Sequence, residues 1–395
     1  LEGERVEKFL RRTWAEIDLD ALAYNYRKLR EQMGPNAKYL GVVKADAYGH
    51  GAVRVAKKLE SLGADYLAIS NLEEAQELRH NGVKLPILML GYTPADMTEA
   101  LIDNRVAQDV PSLEMAKAYS REAAACGKTL TAHLKLDTGM GRLGFQCDEA
   151  HFDGSLAEIL EAVKLPNLDW EGVFMHFCVS DEPEKAASQE FTKVQHDRFT
   201  HMVNEVESKA GMKFRIHHCC NSGAVVYHPE FAWDMCRPGV VLFGTEPMSR
   251  DFGLKPVMTL KTTVGPIKTY VPGTSVSYGR TYFTDRERRI GVLPIGYADG
   301  FQRCLSNKWE MRTHDGFAKI CGRICMDMCM VDLTDLPDVK TGDEVEVFGP
   351  HNPIEKMAEM AGTITYELTC DVAKRVPRLY MEDGKVVDRN LQLLL

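Results

Sequence analysis

The stretch Tyr39-Leu-Gly-Val-Val-Lys44 is an apolar run closed by a lysine, and across the turn Tyr48-Gly-His-Gly51 it gives way to Gly51–Leu62, whose apolar residues recur at helical spacing. A short buried strand followed by an amphipathic helix is one βα unit. The alternation continues along the chain. Eight strand-like runs are read at Tyr39–Lys44, Tyr66–Ser70, Pro86–Leu90, Arg105–Val110, Leu130–Leu136, Leu168–Met175, Phe214–His218 and Asp234–Phe243, with helix-like stretches such as Leu72–Asn81, Ser112–Cys126 and Ala187–Ala210 between them. Eight repeats fit a closed (β/α)8 barrel better than an open doubly wound sheet. After Lys255 the texture turns strand-like, at Val257–Thr263, Ile290–Ile295, Ala318–Ile324, Cys329–Leu333 and Asp343–Phe348, with two short helical pieces (Ile354–Met360, Glu367–Val372) and a closing pair near Arg378–Met381 and Lys385–Val387. The expected fold class is α/β: a (β/α)8 TIM-type barrel over residues 13–255 and a mostly β domain over 256–395.

Composition narrows the function. Over 395 residues, 45% hydrophobic and 27% charged content belongs to an ordinary globular protein. A net charge of -9 argues against a nucleic-acid partner, which calls for a basic surface. Eleven cysteines without disulfide-scaffold spacing point to reduced thiols and a cytoplasmic location. No apolar run approaches the length needed to span a bilayer, so no membrane partner is expected. Leu1–Arg12 starts without Met and reads as a polar lead-in, which leaves room for sequence upstream.

Lys44 carries the first chemical signal. A lysine seldom closes a buried strand for packing, and the C-terminal strand ends of a barrel form its active site. There desolvation and neighbouring cations lower an amine's pKa until it condenses with an aldehyde. A snorkelling edge lysine is the plain alternative. The run Gly41-Val-Val-Lys44-Ala-Asp-Ala-Tyr48-Gly-His50-Gly51 resembles the cofactor-lysine motif of alanine racemases, barrel enzymes that use pyridoxal 5'-phosphate (PLP). The resemblance covers nearly the whole chain. It runs from Thr13-Trp-Ala-Glu-Ile-Asp-Leu through His133-Leu-Lys135-Leu-Asp-Thr-Gly-Met-Gly-Arg142, His218-Cys-Cys-Asn221-Ser222, Arg237-Pro-Gly239, Ser277-Tyr278-Gly, Gly296-Tyr297-Ala-Asp-Gly and Gly322-Arg323-Ile-Cys-Met326-Asp327 to Arg375-Val-Pro-Arg-Leu-Tyr380.

The resemblance implies a role for each matching residue. Lys44 is the cofactor-linking lysine and one of two acid/bases, and Tyr278, supplied by the partner subunit of a homodimer, is the other. Racemisation needs proton removal on one face and return on the opposite one. A phenol with a pKa of about 10 is a poor base unless its surroundings help; read without the family, a tyrosine in a turn is usually structural. Arg237 matches the arginine at the pyridine nitrogen, where a group that only donates hydrogen bonds keeps that nitrogen unprotonated. His218 matches the histidine that holds this arginine. Tyr48, Asn221, Ser222, Gly239 and Val240 match phosphate-side positions, and His176 and Tyr366 match further cofactor contacts. Arg142 and Met326 match substrate-carboxylate positions. Lys135 matches a lysine that the family often carbamylates, and the same modification is expected here; an inward barrel lysine paired with Asp137 is the plain alternative. Tyr297, Arg323 and Asp181 match access-channel positions.

Tyr366 keeps the ring that walls the pocket where serine racemases carry a smaller polar residue, which favours alanine; a serine or broad-specificity racemase is the alternative. Supply of D-alanine to peptidoglycan is the implied use. No metal is expected. In His217-His218-Cys219-Cys220 alternate residues leave opposite faces of a strand, and Cys321, Cys325 and Cys329 lack zinc-ligand spacing. The segment His176-Phe-Cys178-Val-Ser-Asp181 departs from the usual family pattern, with Cys178 in the altered loop.

Overall fold

The first strand, β1 (Thr13–Asp18), stands apart from the eight that follow. In the computed structural model, which describes residues 12–391, those eight are β2 (Lys38–Val42), β3 (Tyr66–Ile69), β4 (Ile87–Met89), β5 (Val106–Val110), β6 (Leu130–Asp137), β8 (Leu168–Phe174), β9 (Ile216–His218) and β10 (Met235–Cys236); the short β7 (Phe145–Gln146) lies against β6. Of the lead-in Leu1–Arg12, only Arg12 lies within the described residues. The order is β10-β2-β3-β4-β5-β6-β8-β9, with every neighbour parallel. Asp234 N donates to His217 O at 3.0 Å and Arg237 N to Cys220 O at 2.9 Å, drawing the two ends of that sheet together as a barrel.

Every residue of β3, β4 and β5 is buried, as strands covered on both faces require. Helices supply the outer cover. In Ala52–Leu62 the buried residues are Ala52, Val55, Ala56 and Leu59, one stripe at helical spacing. This helix lies so close to β2 that a Cβ on Gly41 would stand 2.6 Å from Leu59 Cδ1. Ser112 starts helix Leu113–Ala125 by accepting from Met115 N at 3.2 Å. The expected strand Asp234–Phe243 is shorter than its apolar content suggests. Pro238 cannot donate to a ladder, and Val240–Phe243 turns into a 3-10 helix.

The second part is mostly β: β11 (Met258–Thr263), β12 (Ile267–Tyr270), β13 (Ser275–Val276), β14 (Tyr282–Phe283), β15 (Arg288–Leu293), β16 (Glu310–Arg312), β17 (Phe317–Lys319), β18 (Cys329–Asp332), β19 (Glu344–Phe348), β20 (Arg378–Glu382) and β21 (Lys385–Asn390). Its large sheet has the order β17-β16-β19-β11-β1-β20-β21. Thus β1 pairs antiparallel with β11 and parallel with β20. The described residues divide into two compact units: 25–47 with 52–242, and 12–24 with 48–51 and 243–391.

Candidate active site

Lys44 follows β2 and is half-buried. The residues after it, Ala45, Asp46, Ala47 and Tyr48, all have φ between 52° and 53°, one turn of left-handed helix made without glycine. Such a turn costs about 1–2 kcal/mol per residue, so its surroundings must hold it in place. Glu74 does part of this: its carboxylate accepts from Ala45 N at 2.6 Å and from Ser70 N at 2.8 Å. Asp46 Oδ1 accepts from Ala52 N at 2.7 Å, and Ala47 N donates to Val43 O at 2.9 Å. Glu74 and Asp46 escaped the sequence reading because a capping carboxylate looks like any surface acid.

Arg237 is 3% exposed. Nη1 donates to His218 Nδ1 and His218 O, both at 3.0 Å, and Nη2 donates to Met175 O at 2.8 Å and Cys219 O at 3.0 Å. Those bonds fix the histidines. Arginine only donates, so His218 Nδ1 must accept and its Nε2–H must donate to His133 Nδ1, 2.9 Å away. His133 Nε2–H then donates to Glu171 Oε2 at 3.1 Å, and Tyr66 Oη donates to Glu171 Oε1 at 3.0 Å. Burial holds both imidazoles below their ordinary pKa, His218 far below, so both stay neutral. Gly172 makes room for the two rings to meet, since a Cβ there would stand 2.4 Å from His133 Nδ1. Phe174 stacks on His218 with centroids 4.7 Å apart and takes Arg237 Cζ at 5.5 Å and Lys135 Nζ at 5.1 Å from its ring centre.

His176 sits where cations converge. Burial pulls its pKa well down, and the charges of Arg237, Lys135, Arg142 and Lys44 push it further. Lys135 is 5% exposed, and burial with Arg237's charge lowers it to about 7. Arg142 is exposed, in a loop that Asp137 Oδ1 holds by accepting from Gly139 N at 3.0 Å and Gly141 N at 3.1 Å. Asp109, fully buried on β5, also belongs to this cluster. The sequence did carry a signal for it: Gln108-Asp109 interrupts an otherwise apolar strand.

Beyond β9 and β10, Ser222 Oγ accepts from Gly239 N at 3.0 Å and Val241 N at 3.4 Å, which places a hydroxyl among backbone amides beside Val240. Asn221 caps the following turn, accepting from Ala224 N at 3.1 Å and Ser180 Oγ at 2.8 Å. Cys178 N donates to Gln195 Oε1 at 3.1 Å, so the altered loop is tied to the helix Ala186–Ala210.

In the β-rich unit Tyr48 packs against Tyr366 and Phe243, with centroids 6.4 and 5.3 Å away. Tyr278 stands out at 71% exposure on a 3-10 turn. Ser277, with φ of 67°, donates from Oγ to Arg323 O at 2.6 Å, and Tyr297 N donates to Cys325 O at 3.1 Å. These bonds gather Tyr278, Arg323, Tyr297 and Met326 on neighbouring loops, and Tyr297 and Met326 are exposed like Tyr278.

His217 pairs with Glu207 and Asp234 at 2.7 Å each, while His218 turns to Arg237 and Cys219 Sγ to Phe231 O, so these neighbours have separate partners.

A family model described as the alanine racemase N-terminal domain matches residues 17–247, and one for the alanine racemase C-terminal domain matches residues 257–380. The chain belongs to the alanine racemase family. As a member of this isomerase family it is similar to alanine racemase 1 of Clostridium acetobutylicum, 44% identical over 388 residues, which are 96% of this chain and 98% of the relative. The alanine racemase of Desulforamulus reducens is 43% identical over 373 residues, 93% of this chain and 98% of the relative. Among solved structures, the alanine racemase of Clostridium difficile 630 superposes with a TM-score of 0.92 at 41% identity, covering 98% of this chain and all of the other. That of Bacillus anthracis with bound L-Ala-P gives 0.89 at 32% identity, covering 98% of this chain and 99% of the other.

Proposed function

We propose that the chain interconverts L- and D-alanine with PLP, by two acid/bases on opposite faces of the substrate, as a homodimer with shared sites. Arg237 is the observation that carries this reading. Its four terminal N–H donors go to His218 Nδ1 and to three backbone carbonyls, so Nε–H is the donor left for an acceptor such as a pyridine nitrogen. A buried guanidinium held in this way suits a ring acceptor and offers no proton to give up. Ser222 Oγ and the amides around Gly239 and Val240 suit a phosphate, with Tyr48 and Asn221 close to it in the reading. The donor set therefore fits PLP. When bound, the cofactor supplies an electron sink for the Cα–H bond.

The chain's own residues do the rest. Lys44 Nζ takes or returns the α-proton on one face, at the C-terminal end of β2. The phenol oxygen of Tyr278 serves the opposite face from the partner subunit, and its exposure here supports that assignment. Arg142 and the backbone N–H of Met326 receive the substrate carboxylate. His176 and Tyr366 border cofactor and substrate, and Tyr297 and Arg323 line the approach. Cofactor contacts come mainly from residues 13–255 and partner-directed groups from 256–395. The relative bound to L-Ala-P supports an alanine-shaped pocket. Rejecting one added hydroxyl is worth only about 1–3 kcal/mol, so serine turns over slowly beside alanine. Eleven unpaired cysteines support a cytoplasmic setting, and membership of the alanine racemase family supports D-alanine supply to peptidoglycan as the use.

Reconstitution tests this reading. The wild type with PLP should show a cofactor absorption band that Lys44→Ala loses, and should invert alanine as it exchanges the α-proton with deuterated water. Exchange with complete retention of configuration would refute it.

A further inference from the structure

Gln195 is fully buried on the helix Ala186–Ala210, and its side-chain amide spans two loops of the candidate site. Oε1 accepts from Cys178 N at 3.1 Å and Cys178 Sγ at 3.3 Å. Nε2 donates to His176 O at 3.2 Å and to Thr138 Oγ1 at 3.4 Å. A backbone N–H only donates and a carbonyl only accepts, so these partners allow the amide one orientation. Neighbours on the helix reach the same segment: Arg198 Nη1 donates to Thr138 O at 3.0 Å, and a Cβ on Gly139 would stand 2.7 Å from Phe191 Cζ. Phe191, Gln195 and Arg198 are spaced i, i+4, i+7, one stripe of the helix. That stripe grips Thr138 and Gly139 at the start of the loop that carries Arg142. On the other side the loop after β8 is tied to Asn221, whose Nδ2 donates to Phe177 O at 3.0 Å and whose Oδ1 accepts from Ser180 Oγ at 2.8 Å.

We propose that Gln195, helped by Arg198, is a positioning residue for the substrate carboxylate: it seats the start of the loop after β6 against the loop after β8 and so fixes where Arg142 stands. Arg142 is exposed, and among the described residues its guanidinium has no hydrogen bond or ion pair, so its place follows from the backbone beneath it. Asp137 folds that backbone locally through Gly139 N and Gly141 N. The two helix residues hold the folded loop to the rest of the barrel. Without the amide of Gln195, Cys178 N and His176 O lose this partner and both loops loosen. Substrate must then order them as it binds, a cost that weakens binding and leaves the chemical step alone. The effect on substrate rests on the reading of Arg142 as the carboxylate-binding group; the seating of the loop does not.

The test compares the PLP-loaded wild type with Gln195→Met, which keeps an unbranched side chain of similar length and removes all four bonds. KM for alanine should rise about tenfold with kcat within about twofold. Hydrogen exchange read by mass spectrometry should quicken over residues 138–142 and 176–181 and stay unchanged over β3, β4 and β5. Arg142→Ala/Gln195→Met should have the KM of Arg142→Ala alone, because a seat has no effect on substrate once the guanidinium is gone. Additive effects on KM overturn the proposal, and so does a Gln195→Met enzyme that keeps the wild-type KM or loses kcat instead. If Gln195→Met does not fold, Arg198→Met, which releases Thr138 O alone, should raise KM about threefold and quicken exchange over 138–142; no change in either overturns the proposal. Should Arg142→Ala keep the wild-type KM, the reading of Arg142 falls, and exchange in Gln195→Met decides the seating by itself: quickened rates uphold it and unchanged rates overturn it.

Discussion

Glu171, His133, His218 and Arg237 form a run of donors and acceptors with one direction, set by a side chain that only donates at one end and a carboxylate at the other. Removing the acceptor leaves the His133 Nε2–H unpaired, so Glu171→Leu should cost about 1–3 kcal/mol. Urea unfolding should show a lower midpoint at unchanged slope. Lys135 gives a pH prediction. Its ordinary value is 10.5 and the fold holds it near 7. Between these values the unfolded chain binds the extra proton, so stability rises with pH across that window, by up to about 1.4 kcal/mol per pH unit. Lys135→Met should flatten that rise in unfolding experiments between neutral and alkaline pH.

At the level of elements, the left-handed turn after β2 concentrates the strain. Glu74→Ala releases the Ala45 and Ser70 amides together. It should destabilise the protein by about 1–3 kcal/mol and weaken PLP retention, measured as cofactor absorbance after gel filtration, whereas Glu74→Gln should recover part of both. Gly49 ends the turn with φ of 83°, and a Cβ there would stand 2.0 Å from the backbone carbonyl of Thr369. Since backbone cannot step aside as a flexible side chain can, Gly49→Ala should cost more than about 3 kcal/mol, seen as a lowered thermal midpoint. Gly49 and Gly51 announced a turn, but its left-handed course through Ala-Asp-Ala-Tyr and the part of Glu74 in holding it were not legible, because such a course has no local propensity. The barrel strands were legible, because burial on both faces writes itself as apolar runs.

For the whole molecule the decisive prediction is a shared site. If Lys44 and Tyr278 meet only across two protomers, neither Lys44→Ala nor Tyr278→Ala is active alone. Refolding them together makes mixed dimers in which about one site in two keeps both groups, a count that follows from two-fold symmetry. Racemisation assayed on mixing, with a tag on each variant to isolate the mixed dimer, checks this; no recovery would refute shared sites.

Periodicity alone determined that repeated βα units precede a β-rich segment, because burial of one stripe or of two faces leaves a mark on local sequence. The ordered motifs around Lys44, Arg237 and Tyr278 carried the resemblance to a family. Tertiary structure alone decided the rest: that β1 pairs with β11 and β20, that Glu171 reaches Arg237 through two histidines, and that Gln195 reaches the loops after both β6 and β8. Each of these joins residues far apart in the chain, and their meeting depends on register and strand order, which no local pattern encodes.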